Sequence, residues 1–213
     1  MIHRRTVLFV LALAACATEA SAAELSACVT GPTGRPIPDA AVVVEGATVD
    51  PRMPRPLAAI EQIDRDFVPF LTIVRQGTEI EFPNRDPLKH HVYSFSAAKP
   101  FEIKLYAGKP AAPVLFDKTG DIAIGCNIHD WMEAYVLVVE SPYFAKTGPD
   151  GCAKIADLPA GRHRLRLWHP LQRQAVAERP LVLDGADSIR IDATMEVSPR
   201  TARRKPPADK DDY

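Results

Sequence analysis

Outside its C-terminal tail the sequence lacks any long run of basic residues, and its formal net charge is only −1. It therefore offers no electrostatic footprint for a nucleic acid, and we exclude nucleic acids as partners. It also has almost no helical pattern, because 20 prolines and 11 glycines interrupt short alternating or β-branched runs. Hydrophobic residues make up 46% of the 213 residues, which is enough for a buried core. The sequence thus predicts an all-β protein, folded as a sandwich or barrel.

The N-terminus has the features of an export signal. A basic start at residues 3–5 precedes an apolar stretch at 6–15 and the small residues at 20–23. The apolar stretch is too short to span a bilayer permanently, so we predict no transmembrane span in the mature chain. We expect residues 1–23 to be a signal peptide and the protein to be periplasmic.

Cysteine is scarce, with only four residues in the chain. Residues 13–16 also resemble a lipoprotein signal, which leaves open an acylated Cys16 that anchors the protein to a membrane facing the periplasm. Ordinary cleavage instead leaves Cys28, Cys126 and Cys152. An odd number in an oxidising compartment means that one thiol stays outside an intramolecular disulfide.

Two distant stretches look like halves of one module. Residues 34–42 form a turn that leads into a strand, and residues 150–155 with 158–161 form another series of turns and strands. Together they resemble the carboxypeptidase regulatory-like domain, a small transthyretin-like β-sandwich. The middle of the chain is then an insertion or a second sandwich. The resulting division is 24–59 for the first part of the regulatory-like sandwich, 60–140 for the middle and 141–196 for the second part.

That division places Cys28 in the first part and Cys152 in the second. A disulfide between them would tie the two parts together and leave Cys126 free; two buried unpaired thiols are the alternative. After the last expected strand, residues 197–213 have hardly any apolar side chains. Such a segment cannot offset its ordering entropy by burial, so we predict a disordered tail.

The middle of the chain contains a cluster of potential metal ligands. Residues 121–125 alternate as a strand, and residues 134–140 are long and rich enough in β-formers to be the returning strand. Cys126, His129 and Met132 lie on the short loop between them. A loop at the end of a sandwich can bring three ligands to one ion, and the fourth ligand must come from elsewhere.

The residue types favour copper over other metals. Thiolate and thioether sulfur hold Cu(I), and imidazole suits both oxidation states. Structural zinc prefers Cys or His to Met132, haem attachment needs two cysteines before the histidine, and iron–sulfur clusters need more thiolates than this region contains. We therefore expect one copper ion.

The spacing Cys126-x-x-His129-x-x-Met132 is similar to the ligand loop of amicyanin-type cupredoxins, and plastocyanin-type cupredoxins share its first half. Upstream, residues 82–86 followed by His90 and His91 look like the cupredoxin segment that gives the remaining histidine ligand. By that match the ligand is His90, and His91 takes the place of a bracing asparagine. Strand alternation puts the two histidines on opposite faces, so it leaves His91 open as the alternative.

The resemblance implies a Greek-key cupredoxin sandwich combined with the regulatory-like sandwich, as in periplasmic proteins of the methylamine-utilisation type. It further implies a type 1 (blue) copper site, with Met132 as a weak axial ligand and His129 as the electron port. The expected function is a single-electron carrier with a redox protein as partner, a periplasmic dehydrogenase or cytochrome. A copper storage, delivery or sensing protein is the alternative. We expect no enzymatic activity, because a saturated site has no open position.

Overall fold

The computed structural model describes residues 22–47, 49–50, 52–110, 112–185 and 188–200, and all its regular elements are strands. The all-β prediction is confirmed. These ranges contain no helix able to cross a membrane. Cys16 and nearly all of the expected signal peptide lie outside them. The strands are β1 (Ala23–Thr30), β2 (Ala41–Glu45), β3 (Ala58–Ala59), β4 (Glu61–Ile63), β5 (Asp66–Val68), β6 (Leu71–Arg75), β7 (Thr78–Glu81), β8 (His90–Ser94), β9 (Phe101–Tyr106), β10 (Val114–Phe116), β11 (Gly120–Cys126), β12 (Glu133–Val139), β13 (Phe144–Lys146), β14 (Cys152–Leu158), β15 (Gly161–Trp168), β16 (Arg179–Leu183) and β17 (Ser188–Thr194).

Strands from the two ends of the chain form a first pair of sheets. One sheet has the order β14-β1-β17 and the other β13-β2-β15-β16. Alternate side chains of both sheets meet in one hydrophobic core, which includes Leu25, Val42 and Leu165. Cys28 and Cys152 are opposite each other on β1 and β14, and a disulfide joins them. The covalent link therefore closes the chain around the whole middle segment.

The middle segment forms a second pair of sheets. A five-stranded sheet has the order β6-β12-β11-β8-β9, and a three-stranded sheet has the order β10-β7-β3. Their shared core contains Phe82, Phe116 and Ile122, and it also includes Cys126 and Met132. Two of the potential ligands are therefore core residues.

β2 and β12 are buried on both faces, which explains their unbroken apolar sequences. On β2, Val42 and Val44 point into the first core. On β12, Val136 points into the second. The intervening side chains of both strands pack in a third cluster that connects the two pairs of sheets. That cluster comprises Ala41, Val43, Phe70, Leu71, Leu137, Val139 and Trp168.

This connecting cluster should make the two pairs of sheets unfold together. We expect Leu137→Ala to lower the free energy of unfolding by about 3 kcal/mol, because it leaves a cavity at a fully buried site. Fluorescence of Trp131 in the second pair of sheets and of Trp168 in the cluster should follow one denaturation curve. Leu105→Ala is the control, since Leu105 is 56% exposed. A loss no larger than that of the control would contradict the account.

Two boundaries differ from the sequence division. Ala58 and Ala59 fall in its first part, yet they pair with Ile80 and Glu81 in the second pair of sheets. The backbone N–H of Ser198 donates to the carbonyl of Leu171, and the Arg200 guanidinium lies over the Phe70 ring. Residues 197–200 of the expected tail are therefore held in place by hydrogen bonding and ring contact, which apolar content alone does not reveal. Residues 201–213 lie outside the described part of the chain.

Candidate metal centre

The loop between β11 and β12 is short and closed by its own hydrogen bond. β11 ends at Cys126, and β12 begins at Glu133, directly opposite Gly125. Within the loop, the N–H of Met132 donates to the carbonyl of His129 at 2.9 Å. The turn so formed holds the His129 imidazole on the same side as the Cys126 thiol.

β8 supplies the second imidazole from the neighbouring strand. Val92 is the β-sheet partner of Cys126, so His90, two residues earlier on the same face, is carried towards the loop. His90 is fully buried, whereas the His91 side chain faces the other way, with Nε2 2.9 Å from a carboxylate oxygen of Glu102. The structure therefore brings His90 to the loop, and His91 points away from it.

Three donor atoms converge at this point. His90 Nδ1 and His129 Nδ1 are 3.2 Å apart, and the Cys126 Sγ lies 3.9 Å from the first and 3.8 Å from the second. Among the described residues, these three form the single group of His, Cys, Asp or Glu side chains with metal-binding spacing. A triangle with these sides has a central point about 2.1 Å from each corner, and metal–nitrogen and metal–sulfur bonds are about 2.0–2.3 Å long. The three side chains fit one metal ion.

A carboxylate fixes the orientation of the His90 ring. Asp86 Oδ2 lies 2.7 Å from His90 Nε2, so the ring donates there and turns the lone pair of Nδ1 towards Cys126. The Asn84 side chain accepts a hydrogen bond from the N–H of Asp86 and donates one to the carbonyl of Leu88, so it links the two ends of the segment around Asp86. The sequence does not predict this role of Asp86. Its only signal is an acidic residue four positions before the histidine.

The local electrostatics suit a buried anionic sulfur. Burial raises the pKa of the Cys126 thiol, but hydrogen bonds from His90 and from backbone amides outweigh it, so the net shift is downward. Burial lowers the pKa of His90, but contacts with Cys126 and Asp86 raise it by more. Burial also raises the pKa of Asp86, and hydrogen bonds from Arg65, His90 and Asp64 more than reverse the shift. Both net shifts favour the charged form of the group, an anionic sulfur at Cys126 and a cationic ring at His90.

Met132 lies in the same core as Cys126. It is 2% exposed, and both residues line one surface groove. Its backbone N–H is hydrogen-bonded to the carbonyl of His129 at the end of the loop. Its role as a weak axial ligand stays a prediction.

His129 is nearly enclosed. Only 4% of it is exposed, and the Trp131 ring packs against it with a centroid distance of 5.0 Å. The indole Nε1–H donates to the backbone carbonyl of Arg65 at 3.0 Å, so a residue 66 positions away holds this cover in place. The sequence does not predict this contact, because nothing near Arg65 indicates it.

No protein-family model matches the sequence, and a search of curated proteins finds no match. Solved structures do match it. A purple cupredoxin from Nitrosopumilus maritimus is 19% identical, with 38% of this chain and 99% of that chain covered and a TM-score of 0.35. A reduced Cu(I) form of an amicyanin mutant is 14% identical, with 46% and 98% covered and a TM-score of 0.36.

A copper-containing nitrite reductase from Thermus scotoductus also matches, at 19% identity and a TM-score of 0.38. The match covers 54% of this chain and only 28% of that one. Likenesses this weak concern the fold alone. The case for a metal centre in this chain rests on the convergence of His90, Cys126 and His129.

Proposed function

We propose that this protein binds one copper ion through His90, Cys126 and His129, with Met132 as a weak fourth ligand, and carries single electrons. One observation supports this most strongly: two imidazole nitrogens and a thiol, all buried, lie within 3.9 Å of one another. The carboxylate of Asp86 also turns one of those nitrogens towards the others. Buried polar groups need partners, and one bound ion would be a common partner for all three.

The donor chemistry favours copper. Two imidazoles and one thiolate in a trigonal set, with a long axial thioether, are the ligands of electron-transfer copper sites. A structural zinc ion would prefer a fourth histidine or cysteine, and none of the described residues supplies one here. A bound copper ion would supply a one-electron Cu(II)/Cu(I) couple.

The chain itself would hold, orient and shield the centre. The β-sheet pairing of Cys126 with Val92 fixes the thiol relative to His90. The closed loop limits movement of His129, and the adjoining core of aromatic and aliphatic side chains excludes water. Rigid ligands reduce the reorganisation that accompanies a change of charge, which favours fast outer-sphere transfer. In this proposal His129 is the electron port, and the Trp131 ring covers its outer side.

We further propose that the protein works in the periplasm and exchanges electrons with a redox protein, a dehydrogenase or a cytochrome. The apparent export signal supports this location, and so does the Cys28–Cys152 disulfide, because disulfides persist in oxidising compartments. An anchored form with acylated Cys16 has the same location. In this assignment the first pair of sheets is the regulatory-like sandwich, as in proteins of the methylamine-utilisation type.

The choice between the two adjacent histidines is tested by comparing His90→Ala with His91→Ala. We expect His90→Ala to weaken copper(II) binding by at least about 100-fold, because it removes one of three strong ligands. His91→Ala should bind like the wild type, since its ring faces Glu102. Competition titration against a chelator of known affinity measures both. The reverse order of effects would make His91 the ligand.

The electron-carrier function has its own test in the wild type. Repeated chemical reduction and oxidation should leave one copper ion per chain, because the site is buried and its geometry is fixed. Copper content after each cycle is measured in the presence of a competing chelator. Loss of the ion within a few cycles would instead favour a copper storage or delivery protein.

A further inference from the structure

The turn that connects β4 and β5 consists of Asp64 and Arg65, and both have a left-handed backbone. Their φ angles are 54° and 58°, a conformation that non-glycine residues adopt at a cost. Both angles are typical of a two-residue hairpin turn that matches the twist of its strands. The turn directs two adjacent backbone N–H groups to one side. Strain of this kind persists only where surrounding contacts support it.

Those contacts reach the His90 side of the metal centre. The N–H groups of Asp64 and Arg65 donate to the two carboxylate oxygens of Asp86, at 2.7 and 2.9 Å. The second of these oxygens also lies 2.7 Å from His90 Nε2. The carboxylate that orients His90 is therefore itself held by the turn.

The same turn reaches the His129 side. The carbonyl of Arg65 accepts the indole N–H of Trp131, whose ring packs against the His129 imidazole. The backbone N–H of Arg65 thus holds Asp86, which orients His90, and its backbone C=O holds Trp131, which packs against His129. The His90 and His129 rings meet with centroids 4.9 Å apart.

The hairpin of β4 and β5 is hydrogen-bonded to the rest of the protein, so its turn can hold Asp86 and Trp131 in fixed positions. The N–H of Gln62 donates to the carbonyl of Pro83, and the N–H of Arg85 donates to the carbonyl of Gln62. Glu61 accepts two hydrogen bonds from the Arg85 guanidinium, and Phe67 is buried in the second core. The turn is therefore not a loose loop tip.

We propose that the Asp64–Arg65 turn is a positioning element that sets the two imidazoles relative to each other. The turn does not touch the proposed ion. It acts through Asp86 on His90 and through Trp131 on His129. This inference rests on the proposed copper site for its purpose, but the positioning itself is a property of the metal-free protein.

A pair of substitutions at one residue separates the backbone role from the side chain. Arg65→Pro removes the N–H that donates a hydrogen bond to Asp86, and proline cannot adopt a φ of 58°. Arg65→Gly loses the same side chain but keeps the N–H, the C=O and the turn conformation. We expect Arg65→Pro to weaken copper(II) binding about 10–100-fold, the range typical of substitutions that disturb the orientation of a metal ligand. Arg65→Gly should bind like the wild type.

The imidazole nitrogen resonances of the metal-free proteins give a readout that does not depend on copper. Arg65→Pro should shift the resonances of both His90 and His129, and Arg65→Gly should leave both in place. If Arg65→Pro leaves both the resonances and the affinity unchanged, the proposal is wrong. If the wild type binds no copper but Arg65→Pro still shifts both rings, the copper function fails and the positioning role stands.

A double-mutant cycle provides a second test, in which the residues of the turn itself are not changed. Asp86→Asn removes one carboxylate oxygen from the His90 side, and Trp131→Phe removes the indole donor while keeping a ring beside His129. If one turn serves both sides, the loss of copper affinity in the double variant should differ from the product of the single losses. An exact product would mean two independent supports. Trp168→Phe is the matched control, since Trp168 lies in the connecting cluster.

Discussion

Removal of the Cys28–Cys152 disulfide is expected to lower the free energy of unfolding by about 4–5 kcal/mol. The bond joins residues 124 positions apart, so it closes a loop that contains the entire second pair of sheets. In the chain-entropy treatment, closing a long loop restricts the unfolded chain more than closing a short one. The expected loss is a large part of the stability of an ordinary domain.

The experiment is urea denaturation of the Cys28→Ala/Cys152→Ala variant beside the wild type. The wild type with its disulfide reduced is the matched control, because it has the native side-chain volume without the bond. Both should unfold at similarly lower urea concentration. Retention of wild-type stability by both would show that the bond adds nothing beyond the pairing of β1 with β14.

Replacement of Cys126 by serine is expected to weaken Cu(I) binding by more than about 1000-fold. Thiolate is the soft ligand of the set, and Cu(I) prefers soft donors, whereas a serine hydroxyl is a poor ligand for it. The geometry of the loop should survive, since the change is nearly isosteric and Cys126 forms no disulfide. Competition with a Cu(I) chelator measures the loss.

Met132→Leu is the matched comparison for that experiment. It removes the other sulfur of the loop at a similarly buried position, but an axial thioether binds weakly, so its effect on affinity should be far smaller. A loss in Met132→Leu as large as that in Cys126→Ser would contradict the assigned roles of the two sulfurs.

The all-β class and the short loop between two strands were predictable because both depend on local pattern. The prolines, glycines and alternating runs indicate strands, and the loop is bounded by two of the clearest strand patterns in the chain. Strand alternation did not decide whether His90 or His91 is the ligand, since the two lie on opposite faces of β8 and either face could meet the loop. Only the pairing of Val92 with Cys126 determines which face meets the loop.

The features that the sequence did not predict depend on contacts between distant segments. The roles of Asp86 and of the Arg65 backbone depend on how the hairpin of β4 and β5 docks, and a sequence contains no local signal for such docking. The apolar runs of β2 and β12 predict strands but not what covers their second faces. The second face of β2 packs towards the second pair of sheets, and that of β12 towards the first. They meet in the connecting cluster, which includes Leu137 and Trp168.

The most direct test of the account is the visible absorption spectrum of the mature chain with one equivalent of copper(II). A thiolate and two imidazoles around one Cu(II) should give an intense blue thiolate-to-copper band, and that band should vanish in Cys126→Ser. A colourless wild type that retains no copper, or a band that persists without the Cys126 thiol, would contradict the proposal that these three side chains bind the same ion.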